Sequence, residues 1–124
     1  MTGEDLVTRA EAAAANAYAP YSGYHVGATV LTKDGRIYDG VNVENAAYPL
    51  GICAEKTTIA KAASDGVRPG GVEAIGISAS PCGGCRQWLH EWRVERVCFR
   101  RDDGTIAECA PADLLPGAWN LPEP

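Results

Sequence analysis

The sequence predicts an α/β protein in which helices are layered on a mixed sheet of about five strands. Apolar residues recur at helical spacing in three stretches, and five shorter stretches have the apolar or alternating pattern of strands. These stretches follow the order helix, hairpin, helix, strand, helix and strand, which is typical of helices packed on a sheet. With 124 residues the chain is long enough for one hydrophobic core and too short for two, so we expect a single domain over residues 1–124.

The first half of the chain contains the first predicted helix and a hairpin. Residues 5–18 are predicted to form an amphipathic, alanine-rich helix that ends before Pro20, because proline keeps its predecessor out of helical angles. The apolar face of this helix contains Leu6, Ala10, Ala13, Ala14 and Ala17. Strands are expected at 26–32 and 36–43, since Lys33-Asp34-Gly35 between them is a hairpin signal.

The second half predicts two more helices and the rest of the sheet. A helix over 53–64 is indicated by apolar residues at helical spacing and by the stop signal Asp65-Gly66. Another helix is expected to open at Pro81-Cys82. The remaining strands are predicted at 72–79, 94–100 and 104–109.

Composition and charge exclude several classes of partner. Hydrophobic residues make up 46% of the chain, and no apolar run approaches the ~20 residues that a membrane span needs, so no membrane partner is expected. The net charge of −5 argues against nucleic acid, because its binders concentrate positive charge. The one arginine-rich stretch, 93–101, is interrupted and followed by acidic residues and reads as a solvated strand face. A small, nearly neutral ligand fits better.

The number of cysteines and the N-terminal residues predict a cytoplasmic location. The start Met1–Asp5 is polar and unlike a signal peptide. Five cysteines, an odd number, fit a reducing compartment and metal binding better than a disulfide framework.

Three cysteines stand at the predicted starts of two helices, in Cys53-Ala54-Glu55 and in Pro81-Cys82-Gly83-Gly84-Cys85. Unpaired N–H groups and the positive dipole end favour thiolates there, and residues three apart share a helix face. Three soft sulfur ligands suit zinc and leave one position for a water, whose pKa falls to about 7. Glu55 stands two residues from a ligand, where it could move that water's proton.

Other interpretations of the cysteine pattern compete with this zinc site. A C-x-x-C between a strand and a helix also resembles a thioredoxin-like redox pair. A closed Cys₃His site would need His25 or His90, yet His90 is five residues from Cys85 and about 140° around the helix. Cys98 and Cys109 lie in apolar strand context and are expected to be core thiols.

Six short segments match the motifs of a known family in their order, within a resemblance that runs from about residue 5 to residue 119. They are Pro20-Tyr21-Ser22, Val26-Gly27-Ala28, Asn42-Val43-Glu44-Asn45-Ala46, Cys53-Ala54-Glu55, Pro81-Cys82-Gly83-Gly84-Cys85-Arg86-Gln87 and Leu114-Leu115-Pro116. Together they resemble cytidine deaminases of the small, homotetrameric type. The two zinc motifs alone indicate the wider zinc-deaminase superfamily, in which a Cys₃ site and a non-ligand glutamate are known. The Asn-Val-Glu-Asn segment narrows the resemblance to free nucleosides.

The resemblance implies a three-layer α/β/α fold and an enzyme that converts cytidine and 2′-deoxycytidine to uridine and 2′-deoxyuridine with release of ammonia. It implies one Zn²⁺ per subunit, held by Cys53, Cys82 and Cys85, with Glu55 as the catalytic acid–base group. Asn42 and Glu44 match positions that bind ribose, and an amide with a carboxylate suits sugar hydroxyls.

The resemblance also implies contacts around the base and between subunits. The backbone at Ala54 and Cys82 is expected to hold the base, and Tyr24 replaces a usual phenylalanine near the sugar. The tail, residues 115–124, is expected to reach a neighbouring subunit of a homotetramer. Three residues match positions that reach a neighbour's nucleoside: Ala46, Tyr48 and Trp119.

Two cationic residues lie beside the zinc motifs. Lys56 departs from the family's pattern, and Arg86 is expected to compensate for that departure. Lys56 follows Glu55 where the family commonly has arginine, and a lysine is not equivalent because its charge is compact. Three thiolates on one Zn²⁺ leave an excess negative charge. We expect Arg86, more than Lys56, to offset the negative charge on the sulfurs.

Two alternatives to cytidine deamination remain open at this stage. One is a related small-molecule aminohydrolase, such as a blasticidin-type deaminase, with the same metal site. The other is a non-catalytic, zinc-stabilised or redox-active binding module. Conversion of cytidine to uridine that depends on Glu55 separates an enzyme from a module.

Overall fold

The computed structural model describes residues 1–120 and contains a five-stranded sheet between layers of helices. The last four residues of the predicted tail, 121–124, lie outside the described residues. The helices are α1 (Gly3–Ala13), α2 (Ala54–Ser64), α3 (Gly83–Glu91) and α4 (Pro111–Leu114), and the strands are β1 (Gly27–Thr32), β2 (Ile37–Val41), β3 (Val72–Ile77), β4 (Arg96–Arg100) and β5 (Ile106–Cys109). Within residues 1–120, each helix is too short or too polar to cross a bilayer.

The strand order is β2-β1-β3-β4-β5, and the sheet is mixed as the sequence predicts. β1 pairs antiparallel with both β2 and β3, β3 and β4 are parallel, and β5 returns antiparallel to β4. The parallel pair requires a crossover, and α3 supplies it. The N-terminus of α3 therefore lies just beyond the end of β3.

The two faces of the sheet bury different helices. On one face, α1 packs Leu6 and Val7 against Ala74 of β3 and Cys98 of β4. The opposite face carries the larger cluster, which joins α2 and α3 to the strands through Ile59, Leu89, Val30, Ile75, Ile77, Val97 and Phe99. Successive strand residues point to opposite faces, so the alternation of the sequence becomes three layers. The expected α/β/α arrangement is confirmed.

Three strand glycines allow the helices to approach the sheet closely. A Cβ on Gly27 of β1 would collide with the backbone oxygen of Ala10 in α1, and one on Gly76 of β3 would lie 2.4 Å from the backbone carbon of Leu6 in the same helix. A Cβ on Gly40 of β2 would lie 2.8 Å from the backbone nitrogen of Thr58 in α2. No side chain fits in any of these places, so both helix–sheet distances depend on the absence of a Cβ.

The first helix differs from its prediction at both ends. It begins at Gly3 because Thr2 and Asp5 form a capping box, with Thr2 Oγ1 accepting from the Asp5 N–H at 3.1 Å and Asp5 Oδ2 accepting from the Thr2 N–H at 2.8 Å. Its last turn tightens over Ala14–Asn16, and the predicted end at 18 is wrong. The backbone of Tyr18 instead bonds to the loop after β2, through Asn42 O and Glu44 N.

Candidate metal centre

Three thiols meet where the N-termini of α2 and α3 come together. Cys53 is the N-cap residue of α2, Cys82 is the N-cap residue of α3, and Cys85 follows in the first turn of α3. The three sulfur atoms all lie within 4.8 Å of one another, and Cys53 Sγ is 3.8 Å from Cys82 Sγ. The backbone N–H of Cys85 also points at Cys82 Sγ, at 3.5 Å. The sequence therefore predicted a cluster that the fold does assemble.

The spacing of the sulfur atoms fits a tetrahedral zinc ion. Zn–S bonds of ~2.3 Å at tetrahedral angles separate two sulfurs by about 3.8 Å. Within residues 1–120, no histidine nitrogen or carboxylate oxygen joins the cluster. His90 is engaged elsewhere, with its Nε2 2.8 Å from Asn120 Oδ1. A closed Cys₃His site is thus not built by the described residues, whereas a three-ligand site with an open position is.

The remaining cysteines take no part in the cluster. Cys98 is fully buried under α1, where its sulfur would meet a Cβ on Gly3 at 3.3 Å. Cys109 is half-buried in β5, and its sulfur lies 3.8 Å from Val97 O. Both are free thiols in the sheet, as expected for core cysteines.

The protonation of the thiols depends on what lies between them. Burial raises the pKa of Cys53 and of Cys85. Burial acts in the same direction at Cys82, but the hydrogen bonds that its sulfur receives from Cys85 and Cys53 together outweigh burial, and the pKa of Cys82 lies below the ordinary value. Without a cation, burial therefore opposes ionisation of the cluster. A metal ion compensates for this, because thiolate, not thiol, is the ligand form.

Glu55 is a buried carboxyl group on the wall that carries the thiols. Only 3% of the residue is exposed, in the first turn of α2. Burial raises its pKa, and hydrogen bonds together with the charge of Lys56 offset that only in part. A carboxyl group with a raised pKa exchanges protons more readily near neutral pH than an ordinary glutamate. This position can serve general acid–base chemistry.

A cavity of about 280 Å³ opens in front of the thiols and Glu55. Its size and mostly apolar lining are those of a small-molecule site. The lining residues come from four segments of the chain and are Tyr24, Val26, Asn42, Val43, Glu44, Gly51, Ile52, Cys53, Ala54, Glu55, Ala79, Ser80 and Cys82. The cavity thus brings together the predicted Tyr24, Asn42, Glu44, Ala54 and Glu55.

Asn42 and Glu44 are both anchored to the turn that precedes β1. Asn42 Oδ1 accepts from the Val26 N–H at 2.9 Å, and Asn42 Nδ2 donates to Tyr24 O at 2.8 Å. Glu44 Oε1 accepts from the N–H groups of Tyr21 and Ser22 at 2.9 and 3.1 Å. Each side chain keeps part of its hydrogen-bonding capacity for a ligand.

Three residues that were predicted to contact a nucleoside lie outside this cavity. Tyr48 is 75% exposed, stacks edge-on against Tyr21 with ring centroids 6.1 Å apart, and lines an adjoining cavity of about 410 Å³. Ala46 is exposed and lines neither cavity. Trp119 is 67% exposed, and its backbone oxygen accepts from Gln87 Nε2 at 3.0 Å. Within one chain these residues do not meet the thiols.

Arg86 and Lys56 have different neighbours around the segment that carries Cys82 and Cys85. The Arg86 guanidinium donates to Pro81 O at 2.9 Å, to Leu114 O at 3.0 Å and to Ser80 Oγ at 3.2 Å. These partners are all oxygens, so Arg86 supports the loop before Cys82 without bonding to a sulfur. The Lys56 ammonium lies at the start of α3, 3.6 Å from where a Cβ on Gly84 would be.

Several cavity residues were missed from the sequence. Val26, Ile52 and Ser80 line the cavity, and Ser22 contacts Glu44, yet none was given a role. A signal for Ser22 existed in the Pro-Tyr-Ser segment. The sequence contains no such signal for Ile52, because the position of Ile52 depends on an isolated bridge to Val43 that no local pattern predicts.

The fold and the site together define a class, that of α/β proteins with an open three-thiolate zinc site beside a buried glutamate. Residues 1–101 match the family model described as the cytidine and deoxycytidylate deaminase zinc-binding region. The chain belongs to this deaminase family.

Individual relatives agree with the family match. A cytidine deaminase from Sporosarcina psychrophila is 42% identical over 128 aligned positions, which cover 97% of this chain and 93% of the relative. One from Mycobacterium tuberculosis is 40% identical over 116 positions, covering 88% and 83%. The crystal structure of cytidine deaminase from Burkholderia pseudomallei has a TM-score of 0.89 and 40% identity, covering 96% of this chain and all of that one.

Proposed function

We propose that this chain is a zinc-dependent enzyme that deaminates cytidine and 2′-deoxycytidine hydrolytically. Water and the nucleoside give uridine or 2′-deoxyuridine and ammonia. The observation that carries the proposal is the meeting of three thiol sulfurs within 4.8 Å, with Cys53, Cys82 and the buried Glu55 on the wall of one cavity. Similarity to cytidine deaminases over nearly the whole chain supports this choice of substrate.

Cys53, Cys82 and Cys85 hold one zinc ion per chain in this proposal. When bound, zinc supplies an activated water by lowering its pKa to about 7. The protein's contribution is to bring the three sulfurs together from two helix N-termini, where N–H groups and the helix dipoles favour thiolates. The first N–H groups of α2, which have no partner within the helix, can donate to a bound ligand.

Glu55 moves the protons of the reaction. Its carboxylate accepts one proton from the attacking water, whose oxygen bonds to C4 of the pyrimidine, and delivers that proton to N3. It then takes the second proton from the same oxygen and delivers it to the amine at C4. The C4–N bond breaks, ammonia departs, the C4 carbonyl forms and the carboxylate is regenerated. Positioned acid–base groups of this kind contribute roughly 10²–10⁴-fold to a rate.

The nucleoside is held by residues on three sides of the cavity. Asn42 and Glu44 bind the sugar hydroxyls with the hydrogen-bonding capacity that the turn before β1 leaves free. The backbone at Ala54 and Cys82 holds the base. Tyr24, exposed at the mouth, lies near the sugar.

We also propose that four copies assemble in the cytoplasm. Ala46, Tyr48 and Trp119 then reach a neighbouring subunit's nucleoside, and the tail after residue 115 crosses the interface. The exposed Tyr48 and Trp119 support this, since a partner would cover both rings. Five free thiols favour a reducing compartment.

The test is the release of ammonia and uridine from cytidine by the zinc-loaded protein and its Glu55→Gln variant. Wild type is expected to turn over, and Glu55→Gln is expected to lose at least about 10²-fold in kcat while it keeps its zinc. The matched control is Glu91→Gln, an exposed glutamate on α3, with unchanged activity. A protein that binds zinc but converts no cytidine, or a fully active Glu55→Gln, contradicts the proposal.

A further inference from the structure

The hydroxyl group of Ser22 lies between two residues that line the cavity. Ser22 Oγ donates to Glu44 Oε2, and it accepts from the N–H of Tyr24 at 3.0 Å. Nothing in the proposed chemistry uses this hydroxyl. Its two partners, however, are the carboxylate and the backbone of residues assigned to the sugar.

The two oxygens of Glu44 are held in different ways. Oε1 accepts two backbone N–H groups, from Tyr21 and Ser22, at 2.9 and 3.1 Å. Among the described residues 1–120, Oε2 receives only the Ser22 hydroxyl. The hydroxyl of Ser22 is also the foremost reason why the pKa of Glu44 lies below its ordinary value. Oε2 therefore keeps one direction open for a further donor, and Ser22 decides which direction that is.

Without the Ser22 hydroxyl, Glu44 would be held at one oxygen only. The terminal torsion of a glutamate is broad, so the carboxylate could turn about that anchor. A donor from a ligand would then meet Oε2 in varied orientations, and hydrogen bonds weaken steeply when misaligned. The two backbone bonds to Oε1 limit this rotation less than bonds at both oxygens do.

We infer that Ser22 is a positioning residue that aims Glu44 Oε2 at a hydroxyl of the substrate's sugar. The inference rests on the proposed function, and in particular on Glu44 as a sugar-binding residue. Ser22 does not touch the reacting atoms, so it acts on recognition of the sugar and not on the chemistry at the base.

The experiment compares cytidine with 2′,3′-dideoxycytidine, which carries the same base without the two ring hydroxyls. Both are assayed with zinc-loaded wild type, Ser22→Ala and Ser22→Thr. In Ser22→Ala the preference for cytidine, as a ratio of kcat/KM values, is expected to fall about fivefold, which is what one hydrogen bond is worth. The change should appear in KM for cytidine more than in kcat, and Ser22→Thr should restore the ratio because it keeps the hydroxyl.

Ser64→Ala is the matched control, since its exposed hydroxyl bonds to Ala60 O at the far end of α2. It should leave the ratio unchanged. An equal loss on both nucleosides in Ser22→Ala means a merely structural role and overturns the inference, as does an unchanged or increased ratio or a failure of threonine to restore it. A wild type that deaminates neither nucleoside overturns the proposed function itself, and this inference with it.

Discussion

Arg86 of α3 connects two other segments of the chain by its hydrogen bonds to the neighbouring Ser80 and Pro81 and to Leu114. Two of these residues form the approach to Cys82, and the third closes α4. A guanidinium with five donors in a fixed plane can bridge three oxygens, and no other side chain does so equally well. Arg86 therefore fixes where Cys82 stands relative to the end of the chain.

We predict that Arg86→Gln releases zinc faster than Lys56→Gln. Glutamine cannot span the three oxygens, so the loop that delivers Cys82 loosens, whereas Lys56 contributes charge beside Gly84 without holding that loop. Partners that orient metal ligands are typically worth about 10–100-fold in metal affinity. The measurement is the rate of zinc transfer to a chromogenic chelator, with Arg101→Gln as an exposed control. The opposite order of Arg86→Gln and Lys56→Gln would refute the argument.

For single residues, the sequence predicts the metal ligands better than it predicts the side chains that hold those ligands in place. Cys53, Cys82 and Cys85 were identified because thiols at helix starts have few other uses at that spacing, and the fold brings them together. Arg86 was expected to act on sulfur, but it bonds to oxygens of the loop. Which acceptor a long side chain reaches depends on backbone from a distant part of the sequence, such as Leu114, and no local pattern encodes that distance.

The helices keep their distances from the sheet because three strand residues lack side chains. α1 lies over Gly27 and Gly76, and α2 lies over Gly40. These contacts fix the helix layers, and through α2 they fix Cys53 and Glu55. The positions of the helices and of the site residues on α2 therefore both depend on glycines in the sheet.

We predict that Gly76→Ala destabilises the fold by about 1–3 kcal/mol, the usual cost of forcing atoms into a well-packed site. Its new methyl group would lie 2.4 Å from the Leu6 backbone, so α1 must shift. Denaturant unfolding of zinc-loaded protein measures the loss. Gly83→Ala is the control, because a Cβ there meets nothing within 4 Å at the start of α3. Equal stability of the two variants would show that α1 is not held by this contact.

The elements themselves followed from periodicity and turn residues, apart from their ends. All five strands and the three long helices are present where apolar spacing predicts them. The end of α1 was placed too late, since Ala17 and Tyr18 have nothing locally against a helix. The backbone of Tyr18 leaves the helix to bond with Asn42 and Glu44, a contact made across more than twenty residues. Long-range pairing overrode local propensity there.

The molecule leaves several large apolar side chains exposed. Tyr24, Tyr48, Leu50 and Trp119 are each more than 60% exposed, and Tyr24 and Tyr48 line the two adjoining cavities. Aromatic side chains of this kind are favoured at protein interfaces. A second copy covering them would also complete the wall around the nucleoside.

We predict that light scattering after size exclusion gives the mass of four chains. Leu50→Asp should shift the mass to smaller species, because a charge would be buried in the interface. A wild type that stays monomeric at working concentration would remove the roles given to Ala46, Tyr48 and Trp119. It would leave the metal chemistry untouched, since all three thiols and Glu55 belong to one chain.

The zinc environment itself is the most direct measurement of the central claim. X-ray absorption at the zinc edge of active protein should find three sulfur ligands at about 2.3 Å and one lighter ligand supplied by solvent. Active protein without zinc, or a zinc ion with a fourth side chain as ligand, would contradict the account.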